Sequence, residues 1–317
     1  MPTFDVLPIG RSSIDLYAHQ VGVPITGVTS FDAYVGGCPT NISVGTRRLG
    51  LKSALLTAVG DDQVGDFVLA FLDREGVDTR FVPRKQGHRT SAVVLTIMPP
   101  DRFPLTFYRE GCADRELTRD DVERAPIDDT AMIVVTGTGL SHEPGRGATL
   151  FAAERAASAG VEVMVDLDYR ADQWSARREY SALVRRLLSR ATLTVGTEEE
   201  VVAAADDDGL DAAVARVLES SQGPLVVKRG GKGASIYERD GARRDIAPFH
   251  ITVLNVLGAG DAFASGLIAG LRRGWPLDRA VRFGNAAGAI VVTRHGCANF
   301  MPTMAEVESF VAEQGGW

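Results

Sequence analysis

The sequence predicts an α/β protein, a three-layer α/β/α sandwich forming one large domain with a small β-sheet attached. Short, nearly continuous apolar runs recur along the chain, as expected for strands of a parallel sheet buried on both faces. Helical patterns separate most of these runs, and that alternation builds an α/β sandwich. Two stretches break the alternation, and they predict the added sheet.

Strands are expected at residues 4–9, 53–59, 131–135, 161–165, 193–195 and 225–227. Helices are expected at 66–75 and 149–159. They are followed by Gly76 and Gly160, which suit the left-handed position past a helix end. The rhythm fails at 15–35 and at 89–109. In the second stretch, strands at 91–98 and 105–108 have no helix between them, and Pro99, Pro100 and Pro104 mark the turn. These strands read as an antiparallel addition beside the main sheet, placed to act as a lid, with insertions at about 12–37 and 87–114. The last third is mostly helical, at 261–273, 277–294 and 304–313. The chain shows no repeat, low-complexity tract or linker, so one domain spanning 1–317 is expected.

Composition excludes several classes. Of 317 residues, 45% are hydrophobic and 24% charged, enough to build a core and too ordered a mixture for a disordered chain. The net charge of −7 comes with no basic run, so nucleic acid is not an expected partner. Cys38, Cys112 and Cys297 form no CxxC pair, which argues against a zinc site or a disulfide framework. The opening residues do not read as a signal peptide, and no apolar run reaches the length of a membrane span. A cytoplasmic protein without membrane contact is therefore expected.

The run Asn255-Val256-Leu257-Gly258-Ala259-Gly260-Asp261 carries the most chemistry. An extended segment at 251–254 leads in and a helix follows. Its glycines allow a tight turn with exposed N–H groups, and the helix N-terminus favours an anion there. Asp261 in the first helical turn would stand beside that anion as a proton acceptor, the pairing that phosphoryl transfer requires. A capped helix after an ordinary turn fits the same residues, so the run alone leaves both readings open. Other nucleotide signatures fail. There is no GxxxxGK[ST], and Gly137-Thr138-Gly139 reaches His142 where a dinucleotide fingerprint needs glycine.

A second motif, Gly36-Gly37-Cys38-Pro39-Thr40-Asn41, is followed by Val59-Gly60-Asp61-Asp62 and Gly65. Together with the glycine turn, in this order over nearly the whole chain, it resembles the ribokinase-like (PfkB) family of carbohydrate kinases. The resemblance implies a ribokinase-like fold with a β-lid, and ATP and Mg²⁺ as cosubstrate and metal. It implies Asp261 as catalytic base, with Gly258, Ala259 and Gly260 forming the anion hole. Asp15, Gly36, Gly37 and Asn41 match substrate-binding positions. Thr197, Glu200, Lys228, Gly230, Gly233 and Asn285 match the nucleotide side, with Glu200 holding the metal through water. Asn255 stands where the family often has aspartate, which leaves a monovalent cation open. Thr197 stands where asparagine is common.

The arginines of Tyr108-Arg109-Glu110 and of Asp166-Leu167-Asp168-Tyr169-Arg170 bear on the substrate. A guanidinium fork matches a carboxylate, although surface ion pairs would also account for both residues. These segments, with Cys112-Ala113-Asp114 and Trp174, are similar to those of family members that act on deoxy keto sugar acids. That similarity implies Arg109 and Arg170 at the carboxylate and transfer to a terminal hydroxyl. The expected acceptor is 5-dehydro-2-deoxygluconate, a sugar acid of inositol catabolism, with 2-keto-3-deoxygluconate or another sugar or a nucleoside as alternatives. A sugar-acid binding protein without catalysis is the non-enzymatic alternative. Exposed strand edges in the lid predict a homodimer through it.

Overall fold

The computed structural model describes residues 2–99 and 102–316, so Pro100 of the expected turn lies outside the described residues. The strands are β1 (Leu7–Ile9), β2 (Ser13–Ala18), β3 (Phe31–Gly36), β4 (Val59–Gly60), β5 (Arg84–Lys85), β6 (Ser91–Leu95) and β7 (Leu105–Tyr108). They continue as β8 (Met132–Thr136), β9 (Glu162–Asp166), β10 (Leu193–Thr197), β11 (Leu225–Lys228), β12 (Ala234–Tyr237) and β13 (Arg243–Ile246). The α-helices are α1 (Cys38–Arg48), α2 (Gln63–Arg74), α3 (Arg119–Arg124), α4 (Gly145–Ser158) and α5 (Arg177–Leu188). They continue as α6 (Glu198–Ala205), α7 (Leu210–Ser220), α8 (Ala259–Arg272), α9 (Leu277–Val291) and α10 (Met304–Glu313).

The main sheet runs β1-β8-β9-β10-β11-β12-β13. Its first five strands are parallel, and β12 and β13 return antiparallel at one edge. Side chains alternate between two cores, as period-2 strands require. Met132, Val134, Met164, Val195 and Val226 pack with α1, α2, α8, α9 and α10 on one face. Ile133, Val135, Val163, Val165 and Val227 pack with α3 to α7 on the other. This is the three-layer α/β/α sandwich that the apolar runs predict.

Two expectations change. Residues 53–59 do not form one strand. Ser53 and Leu56 bridge singly to Val6 and Ile9, Ala54 bridges to Asp78, and only Val59 and Gly60 pair regularly, with β5. Residues 251–254 form no strand, and Leu254 donates instead to the Val292 carbonyl at the end of α9. The hairpin β12–β13 was not expected. It turns at Asp240-Gly241, a strong hairpin dipeptide, but its second strand is charged and exposed.

A second sheet, β3-β2-β6-β7, stands beside the first. One face carries Tyr17, Tyr34, Val93, Leu95, Leu105 and Phe107, packed against Leu257 and Cys297 of the main body. Asn299 accepts from the Val35 N–H, and Tyr34 meets Phe300 edge-on, so the segment before α10 holds this sheet in place.

Candidate active site

The parallel strands of the main sheet end together, and the residues that follow them converge. β1 delivers Arg11, β8 delivers Thr138, β9 delivers Asp166, Asp168 and Arg170, β10 delivers Thr197, and β11 delivers Lys228. This is the edge at which open α/β sheets bind ligands. The small sheet adds Asp15 and the loop before α1 adds Asn41.

At the centre is the start of α8. Gly258 caps the helix with φ +80°, a left-handed conformation that glycine adopts without strain, and a Cβ there would come within 2.9 Å of the Cys297 Sγ. The first helical hydrogen bond is Ala262 N–H to the Gly258 carbonyl, and the Ala259 N–H turns back to Val256. The N–H groups of Gly260 and Asp261 therefore remain unspent at the positive end of a 14-residue helix. Of the expected anion hole, Gly258 shapes the turn, Ala259 gives its amide to the turn, and Gly260 and Asp261 face outward.

Asp261 Oδ2 accepts from Asn41 Nδ2 at 2.6 Å. Burial pushes the Asp261 carboxyl above its ordinary range, against hydrogen bonds from Asn41 and the Cys38 thiol. Asn41, expected on the sugar, holds the Asp261 carboxyl from the N-terminal turn of α1, while its own Oδ1 is buried without a partner. Asp15 also titrates high because it is buried, although Arg11 and Ser13 oppose the shift. Gly36 is required beside it, since a Cβ would lie 1.9 Å from the Asp15 Oδ2. Gly37, at φ +107°, lets the Arg11 carbonyl approach the start of α1.

On the other side, Lys228 Nζ lies 3.4 Å from Asp166 Oδ1 and 3.9 Å from Glu200 Oε2. It also comes within 3.2 Å of where a Gly260 Cβ would stand, so the ammonium sits over the helix N-terminus. Burial works against the Lys228 charge, but Asp166 and Glu200 hold its pKa above the ordinary lysine value. Asp166 is raised by burial and by the carboxylates around it, with Lys228 opposing. Thr197 and Glu200 form a capping box at the start of α6, in which the Thr197 N–H donates to Glu200 at 2.7 Å. Gly230 and Gly233 bound the short turn between β11 and β12. Asn285 on α9 donates to the Ala247 carbonyl at 3.1 Å.

The two arginines are each already paired. Arg109 Nε donates to Asp114 at 2.7 Å and its Nη1 to Gln173 at 3.3 Å. Arg170 lies 3.0 Å from Asp168, which also accepts from Thr138 and is held below the ordinary carboxylate range despite its burial. Asp166, Asp168 and Arg11 were not singled out from sequence. The Asp-x-Asp at the end of a buried strand was the available signal for the first two.

Fold and site together define a phosphotransferase, and the chain belongs to the pfkB family of carbohydrate kinases, which it matches over residues 4–304. It is 35% identical to the 5-dehydro-2-deoxygluconokinase of Shouchella clausii, over 98% of this chain and 96% of that protein. It is 33% identical to the 5-dehydro-2-deoxygluconokinase of Clostridium perfringens, over 98% and 94%. Among solved structures, a double-mutant fructokinase of Vibrio cholerae with fructose, ADP and potassium bound superposes with a TM-score of 0.87 at 25% identity, over 98% of this chain and 99% of that one. The E. coli protein designated ribokinase II, in complex with ATP and Mg²⁺, superposes at 0.90 with 24% identity, over 98% and 99%.

Metal fit differs between the two ions. Glu200 and Asp166 present hard carboxylate oxygens beside the anion site, the one or two ligands Mg²⁺ takes when phosphates and water complete its shell. A potassium ion would meet no carboxylate at Asn255. That residue is fully buried, its Oδ1 accepts from the Leu257 N–H at 3.0 Å, and its Nδ2 donates to the His295 carbonyl at 3.1 Å. An uncharged amide joins those two backbone groups.

Proposed function

We propose that this kinase transfers the γ-phosphoryl group of ATP to the terminal hydroxyl of a deoxy keto sugar acid, 5-dehydro-2-deoxy-D-gluconate. The single observation that carries the reaction is the facing of Asp261, held by Asn41, and Lys228 across the open N-terminus of α8. The relatives' names support the acceptor.

In this reading Asp15 grips sugar hydroxyls, and Arg109 and Arg170 present their remaining N–H donors to the carboxylate. Asp261, whose proton affinity is raised by burial, takes the hydroxyl proton as the oxygen attacks. The N–H groups of Gly260 and Asp261, with Lys228, stabilise charge on the moving phosphoryl group. The turn at Gly230 to Gly233 borders the nucleotide phosphates, Thr197 positions Glu200, and Asn285 borders the adenine. Glu200 through water, with Asp166, would hold Mg²⁺, which supplies charge neutralisation on the phosphate oxygens.

The domain spans 1–317, and its insertions at about 12–37 and 87–114 act as a lid that excludes water. The outer face of the small sheet carries Ile14, Leu16, Ala33 and Val94, with Phe31 and Tyr108 exposed, and supports a homodimer through the lid. A cytoplasmic site of action fits the use of ATP. Among the described residues no helix is long and apolar enough to cross a membrane.

The test is ADP release with Mg-ATP across 5-dehydro-2-deoxygluconate, 2-keto-3-deoxygluconate, ribose, fructose and adenosine. Dominant turnover of the first is expected. Preference for 2-keto-3-deoxygluconate would replace the acceptor, and preference for a neutral sugar or adenosine would remove the sugar-acid reading altogether.

A further inference from the structure

Arg11 follows β1 and Gly10, at the edge where the main sheet meets the small one. Its backbone is fixed, because its carbonyl accepts from Thr40 Oγ1 at 3.1 Å and abuts Gly37, whose absent Cβ would fall 2.4 Å from that oxygen. The side chain is directed too. Its guanidinium lies 5.3 Å from the centroid of the Phe107 ring on the inner face of the small sheet, and Nη1 donates to Ser13 Oγ at 2.8 Å. Ser13 passes the contact on to Asp15 at 2.7 Å.

Arg11 differs from Arg109 and Arg170 in one respect. Arg109 and Arg170 are matched by Asp114 and Asp168. Arg11 has no carboxylate within ion-pair distance among the described residues, and one neutral hydroxyl takes one of its five N–H donors. Its charge nonetheless acts on both Asp15 and Asp168. A half-buried guanidinium with unspent donors matches a planar carboxylate in charge and geometry. A neutral sugar would leave it unpaired, which a site built for a charged group penalises.

We propose that Arg11 binds the carboxylate of the sugar acid and selects it over a neutral sugar. The proposal rests on the sugar-acid reading above. The experiment compares wild type, Arg11→Met and Arg11→Lys on the full chain, with 5-dehydro-2-deoxygluconate and Mg-ATP varied in turn and the melting temperature recorded. Arg11→Met is expected to raise the KM for the acid roughly 10- to 100-fold, the scale of a lost charge-assisted contact, with the KM for ATP and the melting temperature unchanged. Arg11→Lys is expected to recover part of the loss, and millimolar guanidinium to rescue Arg11→Met in part. An unchanged KM for the acid overturns the proposal. So does a joint rise of both KM values with a lower melting temperature in both variants, which assigns Arg11 to folding. Failure of the wild type to turn over the acid is a separate result, and it removes the sugar-acid reading itself.

Discussion

The two ends of the site are built differently. The proposed phosphoryl end is made largely by backbone: the N–H groups of Gly260 and Asp261 at the start of α8, faced by one lysine between two carboxylates. The proposed sugar end is made by side chains from separate segments: Arg11 after β1, Asp15 on β2, Arg109 after β7 and Arg170 after β9. A backbone site comes with the fold and tolerates little change of turn. A side-chain site can be retuned one residue at a time while the chemistry stays in place.

Asp261→Asn breaks the comparison hardest. Loss of the proposed base is expected to lower kcat by about 10²- to 10⁴-fold while ATP binding, measured by calorimetry, stays near wild type. Equal loss of both would make Asp261 a folding residue. The same residue sets the acid limb of the rate profile. Because burial raises its pKa, the working carboxylate is protonated, and the rate falls, at a pH above the ordinary aspartate value near 4. An acid limb at or below that value would contradict this origin.

Lys228→Met strikes the other side of the same end. Removing a charge aimed at the transferring group is expected to lower kcat by about 10²- to 10³-fold, with a smaller change in the KM for the sugar acid. Asp166 would be left without its cation, so Lys228→Arg serves as the control that keeps the charge. A sugar KM that rises as far as kcat falls would join the two ends into one unit.

This contrast also governs what the sequence revealed. The glycine turn is contiguous, so an anion site with an aspartate beside it could be suggested from seven neighbouring residues, which a capped helix also fits, and the buried strands β8 to β11 were visible as apolar runs. Residues that meet only through the fold were not paired in advance. Asn41 and Asp261 lie 220 positions apart, and the match that suggested Asn41 gave no sign of its bond to Asp261. Arg109 and Arg170 were visible as arginines, but their partners Asp114 and Asp168 became visible only in space. Arg11 lies in no periodic run at all. The stretch 53–59 misled because its burial is strand-like, while its bridges are made singly to Val6, Ile9 and Asp78. The hairpin β12–β13 escaped because Arg243, Arg244 and Asp245 give an edge strand no apolar pattern.

The smallest effect expected lies where the two ends meet. Leu257 and Cys297 pack the small sheet against the glycine turn, and Asn255 ties that turn to the segment ending at His295. The Vibrio fructokinase was solved with potassium. In this chain the Asn255 amide joins the Leu257 N–H to the His295 carbonyl with no net charge, so the turn is closed by hydrogen bonds internal to the protein. Turnover in potassium, sodium or tetramethylammonium chloride at equal ionic strength is therefore expected to be the same within error. Asn255→Asp replaces a buried donor with a buried charge, leaves the His295 carbonyl unpaired and calls for a cation. That variant is expected to lose activity in tetramethylammonium and regain it in potassium. Potassium dependence in the wild type would mean that the amide does not close the turn, and that the phosphoryl end, like the sugar end, depends on a charge its backbone does not supply.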